Sequence, residues 1–218
     1  VKKLVNARGI TLDVGAGGQW DAGYTSGPFV FYDAATSLYY LYYFGYSSTA
    51  FEGGGSQIGV ATASTPAGPW TKYASNPILT MGSSGARDDG QLFRPSVVKS
   101  GSTYYLVYNA RKNSDNKERI GFATASSPLG PWTKYGSNPV FAPDSYTTPI
   151  ETNRVGDPYL LPTTTGFAAA YFGQTDPYNG HCSLATVSSD LTTWTRYKGN
   201  WLRPSGFPPA TASIRPAY

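Results

Sequence analysis

Cysteine and histidine are nearly absent from this sequence, which holds one of each, Cys182 and His181. A single cysteine excludes an internal disulfide, and it reads as a buried bystander rather than a nucleophile. A zinc site of clustered His and Cys is excluded as well, and a Ser–His–Asp triad would rest on one histidine. Oxygen ligands remain, so a structural calcium ion is compatible with the composition, and no other metal or cofactor is expected. Charge is scarce too, with Asp, Glu, Lys and Arg at 14% of the chain. The 17 basic and 13 acidic residues are scattered, so the excess of +4 forms no basic tract and no nucleic-acid partner is expected. No apolar run approaches a membrane span, and Val1-Lys2-Lys3 opens no signal-peptide pattern.

What the chain has in abundance is glycine (25), proline (17) and tyrosine (18), the composition of short strands and tight turns. It also repeats. Ile58-Gly59-Val60-Ala61-Thr62-Ala63-Ser64 returns as Ile120-Gly121-Phe122-Ala123-Thr124-Ala125-Ser126, and Gly-Pro-Trp-Thr-Lys-Tyr follows at 68–73 and again at 130–135. From Ile58 to Ile120 the step is 62 residues, and the weaker third copy keeps it: Ser183-Leu184-Ala185-Thr186, then Thr193-Trp194-Thr195-Arg196-Tyr197. Upstream of each copy lie two more strand-like runs. They are 28–32 with 39–43, 95–98 with 104–108, and 158–161 with 167–172.

Each unit therefore reads as four antiparallel strands, A to D, which is the blade of a β-propeller. A parallel solenoid is the rival, but its repeats are shorter and carry fewer strands. The fold expected is all-β, a β-propeller of which this chain holds about three and a half blades. They run over 15–80, 81–142 and 143–204, with a fourth beginning at 205–218 on Arg215-Pro216. Gly9 to Val14 matches strand D and would belong to the closing blade. The ring is expected to be completed by missing residues or by another chain. Trp70, Trp132 and Trp194 repeat at strand D and are expected to pack between blades.

A second regularity concerns acids. Asp21, Asp88 and Glu151 each stand seven residues before the strand-A prolines Pro28, Pro95 and Pro158. One acid per blade at one register could place three carboxylates around one axis, where mutual repulsion would raise a pKa and suit a general acid. The same pattern can also be scaffold, with each acid capping a turn or pairing with a nearby arginine. The blade pattern Pro-Ser-Val-Val, Tyr-Tyr-Leu-Val-Tyr, Ile-Gly-Phe-Ala-Thr-Ala-Ser-Ser-Pro-Leu-Gly-Pro-Trp resembles glycoside hydrolase family 43 and its arabinanase, xylosidase and fructosidase relatives. The resemblance covers essentially the whole chain. It implies a five-bladed propeller with a central carbohydrate pocket, an Asp base on the first blade, an orienting Asp on the second and a Glu acid on the third.

The order Asp21, Asp88, Glu151 matches those residue types. On that reading Glu151 protonates the glycosidic oxygen, Asp21 activates water, and Asp88 or Asp89 orients the sugar. Arg94, Arg154 and Arg215 would bind hydroxyls or a sugar carboxylate, and Trp20 would stack on a sugar face. The family usually keeps its acids beside the strand-A proline, where this chain has Gly27, Arg94, Asp157 and Arg215, so Asp157 alone retains that pattern. The function expected is hydrolysis of glycosidic bonds in a plant or microbial polysaccharide or oligosaccharide, at an extracellular or periplasmic site. The alternative is a non-catalytic carbohydrate-binding propeller, such as an adhesion or virion surface module.

Overall fold

The computed structural model describes residues 12–47, 55–144, 151–176 and 179–197. Twelve strands form three groups of four. The first is β1 (Tyr24–Asp33), β2 (Leu38–Tyr46), β3 (Gln57–Ala63) and β4 (Thr71–Lys72). The second is β5 (Gln91–Ser100), β6 (Thr103–Arg111), β7 (Glu118–Ala125) and β8 (Thr133–Lys134). The third is β9 (Arg154–Pro162), β10 (Gly166–Asp176), β11 (Asn179–Ser188) and β12 (Trp194–Arg196). Within each group every strand is antiparallel to the next, as four strands per repeat require. One parallel bridge, Glu118 to Arg154, ties the second and third sheets together. The inner strands are β1, β5 and β9, and the outermost are β4, β8 and β12. The expected strand Gly9 to Val14 lies mostly outside the described residues, and no strand is formed at 12–14.

The inner strands start before their prolines. A proline removes one ladder hydrogen bond, and a bulge is where a strand tolerates that loss. Each inner strand has its bulge there: between Ser26 and Phe29, between Phe93 and Ser96, and opposite Ala170 and Phe172 in the third blade. The residue before each proline turns left-handed, with φ of 58° at Gly27, 51° at Arg94 and 55° at Asp157. For a side chain bigger than glycine this conformation costs on the order of 1–2 kcal/mol.

Alternation along the inner strands assigns each face to a neighbour. Val97 of β5 packs on the first blade with Tyr40, Tyr42, Ile58 and Val60, while Val98 packs on the third with Leu160, Phe167 and Ala169. The tyrosines of the central strands fill these seams. Tyr42 is fully buried, meets the Trp132 ring edge-on at 6.3 Å, and donates its hydroxyl to the Pro128 carbonyl at 2.7 Å. Trp194 packs on Phe141 of the preceding repeat at 5.3 Å. Among the described residues the opposite faces are more open: Val30 and Tyr32 of β1, and Leu161 and Tyr159 of β9, are about half exposed, with Tyr159 reaching Phe29 of the first blade at 6.1 Å.

A polar tie closes the far end of the first seam. Asp33, buried at the end of β1, accepts from Lys99 Nζ at 3.0 Å and Tyr104 Oη at 2.9 Å, both in the second blade. Burial alone would raise the Asp33 carboxyl. The hydrogen bonds from Lys99, Tyr104 and Thr36 outweigh that and hold it below the ordinary value.

Two tests follow from the seam. Tyr42→Phe keeps the ring but orphans a buried carbonyl, and urea unfolding should show a loss of about 1–2 kcal/mol. The lowered Asp33 pKa means its contribution is present above the carboxyl's unfolded value, about 3.9, and is lost as pH falls through the folded value. Asp33→Asn should therefore lower the urea midpoint at pH 7, with the gap to the wild type closing as pH falls through the folded carboxyl's lowered value.

Candidate functional site

Each of the three repeated acids bonds to side chains of its own blade. Asp21, 2% exposed, accepts from Tyr43 Oη at 3.0 Å and from Lys72 Nζ at 2.5 Å, so its partners lie on β2 and β4 of its own sheet. Asp88 accepts from Lys134 Nζ on β8 at 2.5 Å. Glu151, 1% exposed, accepts from Tyr171 Oη on β10 and Arg196 Nε on β12, both at 2.7 Å. Each carboxylate thus fastens the loop before the inner strand to the outermost strand of the same blade. Asn76 and Asn138 complete the network, each donating Nδ2 to the tyrosine hydroxyl, at 3.4 Å on Tyr43 and 3.2 Å on Tyr108.

Glycines admit these acids. A Cβ on Gly15 would stand 2.2 Å from Asp21 Oδ1, one on Gly82 2.3 Å from Asp88 Oδ1, and one on Gly173 2.5 Å from Glu151 Cγ. Burial, then the neighbouring carboxylate, pushes the hydroxyls of Tyr43, Tyr108 and Tyr171 well above their ordinary range, so they stay protonated at neutral pH.

Asp21, Asp88 and Glu151 thus each take their hydrogen-bond partners from their own blade, the pairing that the scaffold reading of the sequence allows. The repeated basic partners Lys72, Lys134 and Arg196 could have revealed this, because they recur in the Trp-Thr-Lys motif and in Trp194-Thr195-Arg196. Asp89 is a turn cap, accepting from the backbone nitrogens of Gly85 at 2.8 Å and Asn113 at 2.9 Å, which hold its carboxyl below the ordinary value. Trp20 stacks on Tyr43 of its own blade at 5.6 Å. Cys182, expected inside, is exposed on β11. Arg215 lies outside the described residues. Among the described residues no three His, Cys, Asp or Glu side chains lie close enough to hold a metal ion.

A different cluster forms where the inner strands bulge. Arg94 and Asp157, from neighbouring blades, pair through Nη1 and Oδ2 with 40% and 30% of their side chains exposed. Behind them Asn109, fully buried on β6, donates Nδ2 to Asp157 Oδ1 at 3.0 Å and accepts from the Asp157 backbone nitrogen at 2.8 Å. The same amide reaches Glu118 Oε2 at 3.2 Å, and Glu118 pairs with Arg154 at 2.7 Å. Arg154 lies over the Phe172 ring at 5.2 Å. A Cβ on Gly156 would fall 2.3 Å from Asn109 Nδ2, so this approach requires glycine. Burial raises the Glu118 carboxyl, Arg154 draws it back, and Asp157 adds to the rise.

Sequence reading named Arg94, Arg154 and Asp157 and the structure brings them together. It missed Asn109 and Glu118, because Lys117-Glu118-Arg119 reads as a surface charge run. Two backbone oddities mark the site independently, since left-handed non-glycine residues at both members of an ion pair are strain that only a surrounding network sustains. An arginine-clamped carboxylate at the mouth of the inner strands can orient a hydroxylated ligand or stabilise developing positive charge.

Three four-stranded blades around inner strands, with a polar cluster at their bulges, are the architecture of a β-propeller. Solved structures with this fold include a thermostable family-43 glycoside hydrolase (TM-score 0.59, 21% identity, 83% of this chain and 61% of that one). An endo-arabinase from Bacteroides thetaiotaomicron gives 0.59 at 18% identity, over 78% of this chain and 53% of that one. In sequence, the chain is similar to a "Probable arabinan endo-1,5-alpha-L-arabinosidase A" of Emericella nidulans, 35% identical over 85 residues, 38% of this chain and 26% of that protein. Its counterpart in Aspergillus oryzae is 32% identical over 108 residues, 48% of this chain and 29% of that protein. The match thus spans under a third of the length of these curated relatives. No protein-family model matches the chain.

The scaffold assignment makes a prediction that separates it from catalysis. Asp21→Asn should cost about 1.5–3 kcal/mol in urea unfolding, as loss of a charged buried hydrogen bond does, and leave turnover per folded molecule nearly unchanged. A stable variant with turnover abolished would restore Asp21 to the reaction.

Proposed function

We propose that this chain forms the carbohydrate-facing blades of a glycoside hydrolase that cleaves a plant or microbial polysaccharide, with arabinan the first polymer to test. The observation that carries this is the Arg94–Asp157 pair at the inner-strand bulges, in a chain similar in sequence to arabinan-cleaving enzymes. Asn109 and Arg94 leave Asp157 little freedom, which suits holding a sugar hydroxyl or an oxocarbenium-like centre rather than delivering a proton. Glycosidic cleavage ordinarily takes two carboxyl groups. Gly27 and Arg94 hold the other two bulge positions among the described residues, so the second carboxyl group would come from elsewhere in the ring. A polymeric substrate fits an extracellular or periplasmic protein.

The open faces support completion of the ring by further blades. A cleft of about 410 Å³ on the outer face of the first blade is lined by Val30, Leu41, Pro66 and Trp70. One repeat on, Pro128 and Trp132 receive Tyr42 of the preceding blade. A tyrosine from another blade fits the first cleft in the same way. Whether this chain or another supplies it, the seam has the same chemistry.

One observation favours the second reading, a sugar-binding propeller without turnover: Arg94 clamps the inner carboxylate Asp157. The test is release of reducing ends from arabinan, xylan and fructan by the protein with its ring complete. The hydrolase reading expects release, with Asp157→Asn lowering kcat by about a hundredfold or more. Retention on polysaccharide affinity gels with no release from any polymer would establish the binding reading instead.

A further inference from the structure

Blades one and two differ beside the repeated acid. In the first, Trp20 lies against Tyr43 and over the third strand, so close that a Cβ on Gly59 would meet its ring at 2.7 Å. In the second, Tyr108 stands for Tyr43, Gly121 for Gly59, Ala110 for Gly45 and Lys134 for Lys72. Arg87 takes the place of Trp20 and is exposed. A Cβ on Gly121 would meet the Asn138 side chain first, at 3.1 Å. The space that an indole occupies in one blade is a cleft of about 260 Å³ in the next, lined by Arg87, Asp88, Tyr108, Gly121, Lys134 and Asn138.

We propose that this cleft on the second blade, whose lining shares no residue with the Arg94–Asp157 cluster, binds a single acidic sugar ring, a uronate. Four observations carry it. The cleft lies just below the range of about 300–1,000 Å³ typical of drug-sized ligands, so it takes one ring and not a chain. A planar six-membered portion of Trp20 already fits the homologous space against a tyrosine face. Arg87 and Lys134 against Asp88 leave one positive charge, and Asp88 engages Lys134, so Arg87 is the cation left for a ligand. Arg87 makes no ion pair among the described residues, and its guanidinium can take a carboxylate bidentately.

The loop that carries Arg87 is fixed in advance. Asp89 pins it through Gly85 and Asn113, and Ala86 donates its backbone nitrogen to the Ser83 carbonyl at 2.9 Å. Asp88, Lys134 and Asn138 are within the same cleft to receive ring hydroxyls. From the proposed function the inference takes only the sugar as ligand class; the acidic character comes from the charges lining the cleft.

The experiment is titration of the protein with glucuronate, and separately with glucose, followed by calorimetry and ligand-observed NMR. Glucuronate should bind and glucose should bind at least about tenfold more weakly, the loss of one charge-assisted contact. Arg87→Trp rebuilds the first-blade arrangement and should abolish glucuronate binding, and Arg87→Gln should weaken it about tenfold without filling the cleft. Absence of glucuronate binding, equal binding of glucose, or binding unchanged in both variants overturns the inference. Hydrolysis of arabinan by the wild type without glucuronate binding sinks this inference alone, and glucuronate binding without hydrolysis of any polymer sinks the proposed function alone.

Discussion

A largely buried carboxylate fastened to a basic side chain of its own sheet is the interaction on which each blade depends. Asp21 reaches from the loop before β1 to Lys72 on β4, crossing the width of the sheet. Asp88 and Lys134 do the same in the second blade, and Glu151 and Arg196 in the third. The clasp fixes where the incoming loop lies, and so where the inner strand begins. Removing such a charge from water is costly, and the hydrogen-bond partners offset that cost only when they are all in place. The arrangement therefore specifies the loop as much as it stabilises it.

The clasps and the inner cluster divide the ionic chemistry of each blade in two. At the outer edge the charge pairs repeat from blade to blade, as parts of a scaffold do. At the inner bulges they differ from blade to blade, are partly exposed, and bridge two sheets: Arg94 belongs to the second and Asp157 to the third. Repetition was thus a guide to structure, and departure from repetition was the guide to function. The same contrast separates Trp20 from Arg87.

Much of the fold was legible because the signal was repeated. The Ile-Gly-x-Ala-Thr-Ala run, the tyrosine-rich run and the Gly-Pro-Trp turn each mark one strand, and three copies leave little room for another topology. The register of Asp21, Asp88 and Glu151 was equally legible, but its meaning was not. Seven residues before a proline fixes a place along the chain, whereas the direction of a side chain depends on the bulge in between. That bulge turns the chain left-handed at Gly27, Arg94 and Asp157, and it gives the inward station to them and not to the acids upstream. Asn109 and Glu118 were invisible for a related reason, since β6 and β7 bring them to Asp157 only through cross-strand pairing.

The left-handed bulge has an evolutionary consequence. Glycine, asparagine and aspartate are the residues that enter this backbone conformation most readily, so a position built for one is close to accommodating the others. Gly27 and Asp157 are already two answers to the same geometric demand. A carboxylate could pass from one blade to another by a single codon change, with the backbone unaltered and the Phe44 ring as the main obstacle at Gly27. A ring of such interchangeable stations can move its reactive group around the axis over generations, and related propellers can diverge in chemistry while their sheets stay the same.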